Sequence, residues 1–315
     1  MAEIVAQIKA RMQTRMIGSG HSTAAMRAAS YYSKTAYYGE ATSGISFYRF
    51  IDELEKNFEE RREETAAKLS ELAKRIFTKG NMIAGYTADE EGYSLMEKEL
   101  EKFAESLPCK KAEDVPKNYE LVQKNEGFRT SSGVQYVALS GNFKTGTGLE
   151  YTGALRILKQ ILSCEYLWIN VRVKGGAYGC MNNFSRDGES CFVSYRDPNL
   201  EKTLEVYRGI VDYVRNFDVC ERDMTKYIIG TISNSDTPLN PAAKGQRAMA
   251  SYLTGTGIDT LQREREQVLD ACAEDIRKLA PYVQAVLDCG NICVVGNDAA
   301  VDKAKNVFKE TVYLL

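Results

Sequence analysis

The stretch from Tyr151 to Arg196 commits this chain to a helix feeding an antiparallel hairpin, and most other arrangements of the same residues are closed by it. Tyr151, Ala154, Leu155, Leu158, Ile161 and Leu162 recur at helical spacing, and Leu167 and Trp168 prolong the apolar run toward Arg172. Gly175 and Gly176 follow, where backbone angles that other residues resist become available, and Gly179 comes three positions later. Tyr178 to Phe184 then reads as a strand, Ser185-Arg186-Asp187-Gly188 as a tight turn, and Ser190 to Arg196 as the returning strand. A further helix is expected from Asp197-Pro198, with Leu200, Leu204, Tyr207, Val211 and Val214 along its buried face. Two hydrogen-bond donors, Arg172 and Tyr178, are therefore hung on a hinge of Gly175, Gly176 and Gly179.

Outside this stretch, Val134 to Leu139 is a near-continuous apolar run suited to a buried strand. Two distant segments share an order of features, which predicts an internal repeat with a period near two hundred residues. Arg27-Ala28-Ala29-Ser30-Tyr31, a charged helix, Asn81 to Gly85 and a helix containing Phe103 form the first copy. Arg247 to Tyr252, a charged helical stretch, Asn291 to Gly296 and a helix containing Phe308 form the second. The polar segment 108–117, with two of the six prolines, reads as a linker. The expected domains are 1–107, mostly helical with a single strand at Asn81 to Tyr86, and 118–315, a complete α+β unit. A lone strand needs partners. The first domain is therefore expected to be partial, the chain a fragment of something longer, and self-association through the incomplete domain is an open expectation.

The 315 residues carry a net charge of -2, which argues against a nucleic-acid partner, because such proteins usually present a basic face to phosphate. No apolar run reaches the eighteen residues of a membrane span, and the opening residues lack a signal-peptide profile, so a cytoplasmic location is expected. His21 is the only histidine, which excludes a His-x-x-Glu-His zinc site and leaves His21 as a capping or surface residue. The eight cysteines are scattered and read as reduced packing residues; Cys289 and Cys293 do not have zinc-site spacing. Gly-Gly-x-x-Gly follows a helix and opens a strand, the reverse of a dinucleotide loop. Asn182, Asn183 and Arg196 read as solvated hairpin residues.

Asn170 to Gly179, the hairpin after it, and Ser19-Gly20-His21 followed by Arg27, Ser30 and Gly44 resemble the presequence protease branch of the insulinase, or pitrilysin, zinc metallopeptidases. The resemblance covers almost the whole chain. It implies tandem repeated α+β domains, each an antiparallel-rich mixed sheet with helices packed on one face, four to the protein in two chamber-forming halves. It also implies that zinc and the inverted His-x-x-Glu-His motif belong to an N-terminal catalytic half absent here, so this chain binds no metal and is inactive alone. Residues 1–107 would be the later part of the third domain and 118–315 the fourth. Arg172 and Tyr178 match, by position, the arginine and tyrosine that reach across the chamber to peptide substrate near the metal. The alternative is a non-catalytic scaffold or assembly subunit on the same fold.

Overall fold

The computed structural model describes residues 1–109 and 119–315. Six strands form one mixed sheet: β1 (Glu126–Thr130), β2 (Tyr136–Asn142), β3 (Gly179–Phe184), β4 (Glu189–Tyr195), β5 (Asn291–Asn297) and β6 (Glu310–Tyr313), in the order β3-β4-β2-β5-β1-β6. Three of its five pairings are antiparallel and the two made by β1 are parallel. The hairpin expected after the glycines is present, and its turn closes through Gly188 at φ +91°, with the Ser185 amide donating to the Glu189 carbonyl at 2.9 Å. The α+β class and the mixed, mainly antiparallel sheet hold.

The sheet carries helices on both faces rather than one. Side chains alternate along a strand, so Val137 and Leu139 of β2 and Ile292 and Val294 of β5 meet one layer, which includes Leu155, Leu158 and Ile161 of the helix Ala154–Ile161 and Leu204, Tyr207, Val211 and Val214. Tyr136 and Ala138 of β2, Val193 of β4, and Cys293 and Val295 of β5 face the other way. There they meet Met12 and Met16 of α1 (Ala2–Gly18), Ala24 and Ala28 of α2 (Gly20–Ala29), and Ile45 and Tyr48 of the helix Ile45–Lys56. A strand buried on both sides must be apolar at nearly every position. The near-continuous apolar runs at 134–139 and 291–296 carried that signal, and the expectation of one helical face did not use it.

Contacts divide the chain differently from the boundary expected at 108–117. One compact unit gathers Met1–Glu53, Tyr119–Ser235 and Gln262–Leu315; the other gathers Leu54–Asn118 and Asp236–Leu261. In the first unit, α2 is tied to the sheet by a buried ion cluster. The Arg27 guanidinium donates twice to Glu126 of β1, at 2.6 and 2.9 Å, and pairs with Glu40 at 2.9 Å, while the Tyr31 hydroxyl donates to Glu126 at 2.9 Å. Burial works against the charge on both main partners, yet the pairing outweighs it: Arg27 is held above its ordinary range and Glu126 below the carboxylate range.

The second unit holds the helices Phe58–Ile76, Glu90–Glu105 and Pro241–Thr254. The strand expected at Asn81 to Tyr86 is absent: a single turn at Lys79–Asn81 is followed by extended chain with no ladder, and Ile83 is exposed. An apolar run with no neighbouring edge has nothing to bond to. The two expected repeats therefore differ as structures, since Asn291–Asn297 lies inside the sheet, and Arg247 and Tyr252 are exposed where Arg27 and Tyr31 are buried. Phe308 belongs to no helix; it follows the turn Lys305–Val307 and is buried beside β1. Expected self-association through a bare strand at 81–86 loses its basis. Residues 110–117 of the expected linker lie outside the described residues. Among the described residues no helix is long and apolar enough to cross a membrane.

Candidate functional site

The helix that delivers Arg172 changes pitch as it approaches the site. After Ala154–Ile161, residues Leu162–Tyr166 and Trp168–Val173 have π-helical bonding, in which each amide reaches back five residues, as from Lys174 to Ile169 at 2.9 Å. Such widened turns are uncommon and recur at functional sites. The end is closed by nested bonds: the Gly176 amide donates to the Arg172 carbonyl at 2.8 Å and the Ala177 amide to the Val171 carbonyl at 3.1 Å. Asn199 then locks the bend from outside, its side-chain amide donating to the Gly175 carbonyl at 2.6 Å.

The three glycines do different things. Gly176 takes φ +82°, a left-handed angle that costs a side-chain residue about 1–2 kcal/mol. Gly175 has an ordinary angle, but a Cβ there would run into the Val171 carbonyl. Gly179 has neither constraint; it opens β3, and a methyl group added to it would meet nothing within 4 Å. The bend is thus made by Gly175 and Gly176 and is a fixed corner, not a three-glycine hinge. Gly176→Ala should lower chemical-denaturation stability by about 1 kcal/mol, and Gly175→Ala by more, whereas Gly179→Ala should leave it within error; equal losses at all three would contradict this assignment.

Both expected donors are on the surface with their donor groups unclaimed by the described residues. The Arg172 guanidinium has no carboxylate partner among them, and its carbon lies 4.0 Å from the centre of the Trp168 ring. A guanidinium held by its face keeps its edge N–H groups available. Tyr178 is 68 % exposed, and its amide bonds to the Tyr195 carbonyl at 3.0 Å, which anchors its backbone at the mouth of the hairpin. No hydrogen bond or ring contact joins Arg172 to Tyr178 among the described residues. Each has instead its own aromatic or cationic neighbour.

Those neighbours were missed in the sequence. Trp168 precedes Arg172 by four residues, a spacing that places two side chains together on a helix, so the signal was available. Arg196, read as a solvated hairpin residue, brings its guanidinium carbon within 5.9 Å of the Tyr178 ring centre and 5.5 Å of that of Tyr195. It does so from φ +47°, a conformation costing about 1–3 kcal/mol for a side chain of this kind. No local pattern announces a left-handed arginine. Asn182 is buried, donating to Ser163 at 2.9 Å, and Asn183 accepts from Lys159 at 3.1 Å, so neither joins the site.

Other chemistry can be placed by the same means. Burial pushes the Cys180 thiol up to about 12 and the Cys191 thiol up to about 11, which leaves neither a nucleophile at neutral pH. All eight cysteines are free, but Cys109, Cys164, Cys220 and Cys272 are exposed, so half of them are not packing residues. His21 is not a cap: Ser19 holds that position, and the imidazole packs edge-on to Tyr195 with ring centres 4.9 Å apart. Its Nδ1 is buried without a partner among the described residues and burial lowers its pKa, which favours the neutral ring. Among the described residues no three His, Cys, Asp or Glu side chains gather where a metal ion could be held, so a zinc ion does not fit the groups they offer. What the site offers is donors and aromatic faces.

Known proteins share this sequence over most of its length. The family model described as PreP C-terminal domain matches residues 125–298, and the one described as Peptidase M16C associated matches residues 1–54. The chain is 40 % identical over 306 residues to Protein HypA of Clostridium perfringens (strain 13 / Type A), covering 97 % of this chain and 31 % of that protein. It is 34 % identical over 306 residues to Presequence protease 1, chloroplastic/mitochondrial, of Arabidopsis thaliana, covering 96 % of this chain and 28 % of that protein. The mitochondrial presequence protease of Saccharomyces cerevisiae is 29 % identical over 280 residues, 83 % of this chain and 27 % of that protein. The chain spans less than a third of the length of these relatives.

Proposed function

Because the chain belongs to the presequence protease C-terminal family of M16 peptidases, we propose that it is the substrate-binding C-terminal half of a peptide-degrading metalloendopeptidase. Its partner in this reading is an N-terminal half that carries zinc and the inverted His-x-x-Glu-His motif, and its ligands are unstructured peptides. Residues 1–107 would then belong to the third domain of such a protein and 118–315 to the fourth, with a cytoplasmic location.

The observation that supports it is the pair of exposed donors on a fixed corner, neither of them satisfied by the described residues. The carbonyl oxygen of a peptide bond gains negative charge as the bond is attacked, and donors placed beforehand stabilise that charge without reorganising at the moment of reaction. Arg172 supplies a charged donor and Tyr178 a neutral one. The aromatic faces of Trp168 and Tyr178, with exposed Ile169 and Val173, offer apolar surface for the side chains of a bound peptide.

Two measurements test this. The purified chain alone should take up no stoichiometric zinc and hydrolyse no fluorogenic peptide; mixed with the metal-bearing half, hydrolysis should appear. Hydrolysis by the chain alone would overturn the division of roles. If the genome that encodes this chain offers no His-x-x-Glu-His half in the same or an adjacent frame, the non-catalytic scaffold is the better reading.

A further inference from the structure

Arg196 holds an unfavourable backbone angle, φ +47°, and its side chain is exposed. Among the described residues only Asn125 and Arg196 combine a side chain with positive φ, and asparagine tolerates that angle where arginine does not. The segment around Arg196 is held from both sides. Before it, the Tyr178 amide is shared between the carbonyls of Tyr195 at 3.0 Å and Arg196 at 3.4 Å, so two residues face one, as in a bulge that re-aims a side chain. After it, Asp197 exchanges backbone bonds with Gln135 at 2.8 Å in each direction, and its carboxylate accepts from the Asn199 amide at 2.9 Å and the Thr203 hydroxyl at 2.7 Å. The guanidinium finds no carboxylate among the described residues. It ends instead near two rings, that of Tyr195, which is largely covered, and that of Tyr178, which is not.

We propose that Arg196 is a positioning residue for Tyr178: strained into the bulge, it sets a cation against the exposed tyrosine ring and holds the phenol in the direction in which it must donate. The proposal rests on the substrate-contact role assigned above to Tyr178. An exposed tyrosine on a strand end is otherwise free about two torsions, and a donor that wanders gives up its advantage in the transition state. Strain kept at one residue and used by its neighbour is a recurrent arrangement at functional sites.

The test is a double-mutant cycle in the assembled two-half protease, with Arg196→Gly and Tyr178→Phe. Glycine accepts the left-handed angle, so Arg196→Gly should not lower the thermal midpoint of the isolated chain. It should lower kcat by about ten- to a hundredfold with little change in KM, and Arg196→Lys should recover part of the loss. With Phe at 178 the same change should cost nothing further, because the phenol it positions is gone. A metal-independent readout uses the isolated chain with 3-fluorotyrosine at 178, where Arg196→Gly should sharpen a broad or split fluorine resonance into one averaged line. An equal loss in the Phe background, or a lowered midpoint, would assign Arg196 a structural or direct role and overturn the proposal. If Tyr178→Phe lowers kcat and Arg196→Gly does not, this inference alone falls; if Tyr178→Phe itself leaves kcat unchanged, the assignment of Tyr178 falls and takes the inference with it.

Discussion

Glu126→Ala should destabilise the chain by about 3 kcal/mol in denaturant unfolding, toward the lower end of what removing one partner from a buried ion pair costs. The cost is high because Arg27, 5 % exposed, would be left with its charge buried and two of its three side-chain hydrogen bonds unmade, that to the Ser46 hydroxyl remaining. It stays at the lower end because Glu40 still pairs with the guanidinium at 2.9 Å. Arg27→Met should be at least as harmful, since it leaves two carboxylates buried together. The same cluster gives the chain an acid-sensitive stability. Glu126 has a folded pKa below its unfolded value, so its contribution is present above the ordinary glutamate pKa of about 4.3 and is lost as pH falls through the lowered folded value. Unfolding free energy measured from pH 6 down to pH 3 should fall in the native chain, and part of that slope should vanish in Glu126→Gln. By contrast, Lys68→Ala removes an exposed helical pair with Glu64 and should shift the midpoint immeasurably. A wild-type stability for Glu126→Ala would mean that α2 is held to the sheet by apolar packing alone.

Arg172→Ala and Tyr178→Phe in the assembled protease should each lower kcat by about a hundred- to a thousandfold, the range found when one oxyanion donor is removed. Neither should change folding, because both side chains lie on the surface and neither is hydrogen-bonded to the described residues. The isolated chain offers an independent check. Trp168 is the only tryptophan, and the Arg172 guanidinium covers its ring at 4.0 Å, so its emission should change in Arg172→Ala and on addition of a peptide that engages Arg172. Unchanged peptidase kinetics in both variants would remove Arg172 and Tyr178 from the site.

Much of the sheet was legible because strands and turns are written locally. The apolar runs at 134–139 and 291–296, the Asp-Gly turn at 187–188 and the helical face from Leu200 to Val214 became β2, β5, the β3–β4 turn and a buried helical face. The failures have a common cause. Asn81 to Tyr86 resembles Asn291 to Gly296 in composition, but a strand exists only where an edge is offered to it, and that is not a property of the segment. The second layer of helices went unread for a related reason: whether an amphipathic helix covers one face of a sheet or the other is decided by pairing between residues about a hundred positions apart, as Arg27 with Glu126.

Sequence alone determined the corner and that Arg172 and Tyr178 flank it, since helix periodicity, paired glycines and a hairpin signal are short-range facts of covalent geometry and burial. It also determined that a single histidine leaves the chain no His-x-x-Glu-His motif. Only the tertiary structure decided which glycines the corner requires and that a left-handed Arg196 stands beside Tyr178, whereas the four-residue spacing of Trp168 and Arg172 was open to reading. The two that only the structure decided depend on a carbonyl from the preceding helical turn and on a bulge forced between Tyr178 and Gln135. The bulge is a backbone state that no residue type announces, and the glycine requirement follows from how the chain leaves the helix rather than from the glycines themselves.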